Sequence, residues 1–319
     1  MAGTGRGNMP PLRGNNSRVV GILCADIHLC GKPPIARSGE PDWYKAMVRP
    51  LREVKALAET HHAPVLCAGD VFDHWRSEPE LINFALNELP EMWAIPGQHD
   101  LPQHSMELIH RSAFQTLVQA GVIHIPDPAG TEISDDVVVY PFPWGVPLTF
   151  PHRNSSVGKL DVALLHEYVW TPGTEFGGGA APKSGEVSSL MTRAKGFDVV
   201  VSGDNHIPFD VVEAGTLIWN CGGFMRRKIT EVNATPRVGL LHADGTVTPH
   251  YLDIAGEVLE DHGPVTVTCP AVPDFGEFVE GWKLLGVDEF DFPAAVEKAM
   301  REQETPENTR KIVLLALGK

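Results

Sequence analysis

Long apolar runs are missing from this 319-residue chain. No stretch approaches the ~18–20 apolar residues that span a bilayer, so no membrane partner is expected. Cysteine is scarce and odd in number: Cys24, Cys30, Cys67, Cys221 and Cys269 are the five present, and none forms a Cys-x-x-Cys pair. A disulfide framework is therefore not expected, and a reducing cytoplasm is the simpler setting. Cys24 and Cys67 close apolar runs and are expected to be buried as small hydrophobes. Basic residues are in deficit, with 26 Lys and Arg against 41 Asp and Glu, a formal net charge of −15. Bulk attraction to nucleic acid is not expected at that charge. The deficit weighs against a tight, free-standing DNA binder. It leaves room for an enzyme whose cations and local basic patch reverse the field at the site. Residues 1–17 lack the apolar stretch of a signal peptide; rich in Gly, Asn, Pro and Arg, they read as a flexible tail.

What is present is ordinary globular composition, 43% hydrophobic and 21% charged, enough for one large core with a small appendage. The first half alternates strand-like and helical patterns. Strands are predicted over 18–24, 64–68 and 92–95, and helices over 42–60, 78–89 and 106–120. Trp43, Met47, Leu51, Val54 and Leu57 share one face of the first helix, and Gly121 closes the third. Strands then dominate, over 137–140, 162–165, 199–202, 211–213, 217–220, 238–242 and 247–252, with Asp244-Gly245 as a hairpin signal. A Gly- and Pro-rich loop covers 173–185. From about residue 274 the pattern is helical again, including 293–302 and 306–317. The order predicts an α/β chain with strands packed in layers and helices outside. The expected division is a tail over 1–17, a main domain over 18–255 and a helical extension over 256–319.

Five segments deliver metal-type ligands just after an apolar strand. They are Asp26-Ile27-His28, Gly69-Asp70-Val71-Phe72-Asp73, Gly97-Gln98-His99-Asp100, His166, and Asp204-Asn205-His206. In an extended exit, residues i and i+2 point the same way, so Asp26 with His28, and Asp204 with His206, can each grip one cation. Each segment alone has a bland reading, as a loop pair, a turn or a core histidine. Five in order, each at a strand's carboxyl end, point to one site. Imidazole and carboxylate without thiolate suit Mn(II), Fe or Zn. A bridging carboxylate with two half-sites is how enzymes hold two metals for in-line attack on phosphorus.

The ordered series resembles the calcineurin-like metallophosphoesterase superfamily, whose pattern is D-x-H, G-D-x-x-D, G-N-H-D/E, a lone H and G-H-x-H. The resemblance spans about residues 22–206 and implies a layered β-sandwich core flanked by helices. It implies that Asp26, His28 and His206 hold one metal, that Asp70 bridges, and that Gln98, His166 and Asp204 hold the second. It gives His99 the leaving-group oxygen, as general acid or charge stabiliser, and Asp73 the task of orienting that imidazole. Two residues depart from the pattern: Gln98 stands for Asn and Asp204 for the first His of G-H-x-H. Both fall on the second metal. The extra carboxylate leans the site towards hard cations, with Mn(II) favoured and Mg, Fe or Zn as alternatives.

Within the superfamily the blocks are similar to SbcD-like nuclease subunits of double-strand-break repair, including small viral versions. The residues concerned are Gly69 to Asp73 with Ser77-Glu78-Pro79, Pro141-Phe142-Pro143-Trp144, and Asn220 to Arg227. That resemblance implies a DNA substrate cut by a two-metal-activated water. Arg226 and Arg227 are then candidate phosphate contacts, or else a solvated hairpin edge. Trp144, Phe142 and Trp170 are candidates to stack on bases, or else packing. The C-terminal helices, with Phe275, Phe278, Val279, Trp282 and Leu285, would dock an SbcC-like ATPase partner or pack on the parent domain. A homodimer is also compatible with the resemblance. Two other readings stay open: a phosphomonoesterase or small-molecule phosphodiesterase on the same core, which the acidic charge favours, and a catalytically impaired metal-binding scaffold.

Overall fold

Most strands of this chain are continuous apolar runs because both of their faces are buried. The computed structural model describes residues 17–150, 158–175 and 181–262, together with Met300, Glu307 and Arg310. Among these residues twelve strands form two six-stranded mixed sheets. The first sheet joins β1 (Val19–Cys24), β2 (Val65–Cys67), β3 (Met92–Ala94), β4 (Ile123–His124), β11 (Arg237–His242) and β12 (Val247–Tyr251), in the order β12-β11-β1-β2-β3-β4. The second joins β5 (Thr131–Glu132), β6 (Val137–Phe142), β7 (Leu160–His166), β8 (Val199–Gly203), β9 (Phe209–Glu213) and β10 (Thr216–Asn220), in the order β5-β6-β7-β8-β10-β9. β1 to β4 run parallel, as do β6, β7, β8 and β10.

The two-residue period of a strand sorts each apolar run between two cores. Val137, Val139, Val162, Leu164, Val199, Val201, Leu217 and Trp219 face Val20, Leu23 and Leu66 of the other sheet. The intervening Val138, Tyr140, Ala163, Leu165, Val200 and Ile218 pack instead with Leu190 and Ala194. Those two belong to and cap the short helix α4 (Val187–Arg193). The outer face of the first sheet is covered by α1 (Trp43–His61), α2 (Pro79–Glu88) and α3 (Ala113–Gln119), through Met47, Leu51, Leu81, Ala85, Phe114 and Leu117. The result is helices outside two stacked sheets, the layered α/β arrangement expected.

Local signals explain the element ends. The Asp42 carboxylate accepts Lys45 N–H at 3.0 Å and starts α1. The helix expected over 106–120 is broken: a 3₁₀ segment covers Met106–Arg111, and the Ser112 hydroxyl then caps α3 by accepting Gln115 N–H. β6 runs on through Pro141, which pairs with Leu164 of β7, while β5 reaches only Val138 and Val139 on the other side. A proline is tolerated there because no ladder partner needs its missing N–H on the open side. Gly245 adopts φ 81° in the hairpin between β11 and β12.

The chain separates into two compact units, 1–262 and 263–319. Residues past the expected boundary at 255 still belong to the first. Glu257 pairs with Arg226 at 2.7 Å and with Arg37 at 3.3 Å, and Glu260 N–H reaches Ala36 O at 2.9 Å. In the second unit Met300, Glu307 and Arg310 are helical. The rest of the predicted C-terminal helices, and with them the proposed ATPase-docking face, lie outside the described residues. No helix among the described residues is long and apolar enough to cross a membrane.

Candidate metal centre

All five predicted segments leave their strands at the carboxyl end. Asp26 and His28 follow β1, Asp70 follows β2 and Gln98 and His99 follow β3; His166 ends β7, and Asp204 and His206 follow β8. The exits of β1 and β2 run side by side, with Asp26 N–H on Gly69 O at 3.0 Å and His28 N–H on Asp70 O at 2.9 Å. The exit from β1 is not extended. Asp26, His28, Asp70 and Asp204 have φ of 54°, 49°, 52° and 86°. Left-handed turns, rather than strand alternation, swing these side chains inward.

The ligand atoms converge. His28 Nε2 and His206 Nε2 are 3.1 Å apart, and each lies 4.0 Å from Asp26 Oδ1. Asp70 Oδ2 lies 3.7 Å from His28 Nε2 and 3.4 Å from His166 Nε2. Three sets keep one ligand atom per residue within 4.8 Å of one another: Asp26, His28 and His206; His28, Asp70 and His99; Asp26, Asp70 and His166. Asp26, His28 and Asp70 each occur in two of the three sets. Among the described residues Asp204 joins none of these sets. Its carboxylate instead accepts the Gln98 amide at 2.6 Å, and its N–H donates to Asp26.

The donor set suits divalent cations. His166 Nε2 and Gln98 Oε1 are buried with no hydrogen-bond partner. Burial disfavours charge on His28 and His206, and with His28 nearby His206 is pressed down to about 3, so each ring keeps one unprotonated nitrogen to offer a cation. Burial also opposes charge on His166, yet the carboxylates of Asp70, Asp26 and Asp204 raise it to about 10. Asp70, despite its burial, is held below the usual carboxylate range by His166 and His28, and is ready as an anionic ligand.

His166 is fixed by its Nδ1–H, which donates to Ala68 O at 2.6 Å and leaves Nε2 inward. His99 is exposed at the rim, and its Nδ1–H donates to the Asp73 carbonyl at 2.7 Å. Asp73 therefore orients His99 through its backbone. Its carboxylate is turned to His28 Nδ1 at 3.5 Å and to Arg227 at 2.8 Å. His28 and Arg227 hold that carboxyl down to about 2 against the effect of burial.

Arg226 does not face the site. It is buried, with its guanidinium on Glu257 and on Val232 O, so the expectation of a phosphate contact there is corrected. Arg227 does lie beside the centre, bonded to Asp73 and to His28 O. Asp100 stands in the third predicted segment, but its residue type gave it no role. It is fully buried and accepts N–H bonds from Val71, Phe72 and Gly97, tying the β2 and β3 exits together. Asn205 does the same on the other sheet, donating to Val169 O and Thr174 O. The glycines preceding the ligands are close-approach sites: a Cβ on Gly69 or Gly97 would strike the His166 ring.

A sequence model of the calcineurin-like phosphoesterase family matches residues 22–208. No curated protein sequence matches the chain. Solved structures similar to it include the protein TT1561 of Thermus thermophilus, at 10% identity and TM-score 0.44, covering 75% of this chain and 100% of that one. A calcineurin-like phosphoesterase from Bacillus subtilis has 13% identity and TM-score 0.43, covering 77% and 93%. An archaeal phosphodiesterase has 13% identity and TM-score 0.35, covering 73% and 99%. Such distant likenesses carry no argument about substrate. The family match includes every converging ligand from Asp26 to His206, and the chain belongs to the calcineurin-like phosphoesterase family, hydrolases of phosphate esters that use divalent metals.

Proposed function

We propose that this phosphoesterase hydrolyses phosphodiester bonds in DNA. The observation that favours a nucleic acid is Trp144. Its ring centroid lies 6.5 Å from that of His166 and 6.4 Å from that of the exposed His104. This gives an aromatic face from solvent to the metal position, of the kind on which a base stacks. Asp26, His28 and His206 would hold one cation, and His166 and Gln98 the second, with Asp70 between them. Bound divalent cations supply the charge that makes water a nucleophile at neutral pH and neutralises phosphate oxygens; Mn(II) suits this oxygen-rich set. His99 acts on the opposite side of the reaction. A carbonyl can only accept, so the Nδ1–H of His99 donates to Asp73 O, which leaves Nε2 as the atom that would act on the departing sugar oxygen.

A second reading, a small-molecule phosphoesterase, is favoured by the net charge of −15 and by the burial of Arg226, which removes one expected phosphate contact. Purified protein with Mn(II) should be offered labelled single- and double-stranded DNA beside chromogenic phosphate mono- and diesters. Asp70→Asn serves as control. DNA cleavage lost in the control supports the nuclease. Ester hydrolysis without DNA cleavage moves the assignment to the second reading, and silence on every substrate points to a scaffold.

A further inference from the structure

We propose that Asp204 is a positioning residue rather than a metal ligand, holding the Gln98 amide so that its oxygen faces the second cation position beside Asp70 and His166. The proposal rests on the two-cation reading of the site. A carboxylate has no proton to give, so the atom of Gln98 that lies 2.6 Å from Asp204 Oδ1 is the amide nitrogen. The amide oxygen then points the other way, and Gln98 Oε1 is buried without a hydrogen-bond partner. His166 Nε2 is in the same condition, 3.4 Å from the Asp70 carboxylate. Asp26, Asp70 and His166 bring ligand atoms within 4.8 Å of one another, and Asp204 is in no such set among the described residues.

Asp204 is held where it stands. Its left-handed backbone, at φ 86°, directs its N–H to both Asp26 oxygens at 3.0 and 3.2 Å. The two departures from the family pattern thus act as one unit. The side chain at 98 gains a methylene and supplies an oxygen; the one at 204 becomes an acceptor that fixes which amide atom faces inward. A carboxylate pulling on the amide N–H also makes its oxygen more negative, which favours hard cations over soft ones.

The test is calorimetric titration of the full chain with Mn(II), with the paramagnetic resonance signal of a coupled Mn(II) pair as second readout. Two equivalents on the native protein uphold the underlying two-cation reading; a single equivalent overturns that reading and the proposal with it. Given two, Asp204→Asn keeps an acceptor oxygen and should hold the second Mn(II) within about threefold, whereas Asp204→Ala should weaken it about 10–100-fold, the usual loss when an orienting partner is removed. Gln98→Ala and Gln98→Ala with Asp204→Ala should be equally weak. Gln98→Glu sets two carboxylates against each other and should weaken the second equivalent about tenfold. The first equivalent, held by Asp26, His28 and His206, reports folding in every variant. Asp204 is a ligand, and the proposal fails, if Asp204→Asn costs as much as Asp204→Ala. It fails equally if the double variant is much weaker than Gln98→Ala, or if Gln98→Glu tightens the second equivalent.

Discussion

Gly97→Ala isolates the steric demand of the centre. Gly97 has φ −90° and ψ −178°, a backbone that any L-residue adopts, so the substitution adds no conformational strain. What it adds is a Cβ that collides most closely with Asp70 Oδ1, and that lies 2.6 Å from His166 Nε2 and 2.7 Å from Asp70 Cγ, where ordinary contact begins at 3.4 Å. His166 must retreat by about 0.8 Å and the Asp70 carboxylate by more, distances at which repulsion dominates. A displacement of about 1 Å at reacting groups costs on the order of 100-fold in rate. The expected result is a loss of turnover on a chromogenic phosphodiester of that size, with weaker binding of the second Mn(II). Gly223→Ala is the matched control. Its Cβ would sit 3.5 Å from His206 Cβ, an ordinary contact, and its turnover should stay within about threefold of native. If Gly97→Ala kept native turnover, Asp70 and His166 would not be the pair that the reaction depends on.

Three further outcomes are expected. His99→Ala should slow DNA cleavage by about 100–10,000-fold but cost far less with a nitrophenyl ester, whose leaving group needs no proton; equal losses would move His99 from the leaving group to phosphate binding. Asp73→Asn should weaken Mn(II) at the first position about tenfold through His28, and leave sensitivity to the leaving group unchanged, because the carbonyl that holds His99 is retained. A change in that sensitivity would show that the carboxylate orients His99. Arg37→Met should lower stability in urea by about 3 kcal/mol, because Arg37 is fully buried between Glu40 and Glu257 and its removal takes away the closest partner of Glu40. Arg226 still neutralises Glu257, which sets the loss at the lower end of the range for a broken buried pair, and a loss below about 1 kcal/mol would mean water reaches the network.

The converging side chains were legible because each follows an apolar run, and a strand buried on both faces leaves such a run in the sequence. The same property hid the layering, since Val199, Val200 and Val201 look alike in sequence and belong to two different cores. Short elements were not legible: β4 and β5 have two residues each, and α4 buries only Leu190. The broken helix at Ser112 was missed because its apolar spacing continues across the break. Arg226 read as part of a basic surface cluster because nothing local shows that Glu257 returns to neutralise it. Asp100 has the same character: its partners are the N–H groups of Val71, Phe72 and Gly97, and only the packed strands bring the first two to it.

The left-handed backbones at Asp26, His28, Asp70 and Asp204 have an evolutionary consequence. Each costs about 1 kcal/mol relative to glycine, so the four together take a substantial share of a typical stability of about 5–15 kcal/mol. The sheets that carry these four exits must absorb that cost. It follows that glycine at any of the four would relax its backbone while erasing a functional side chain. Selection for robustness alone would drift towards such replacements, so backbone strain at these four positions is a cost attached to their side chains.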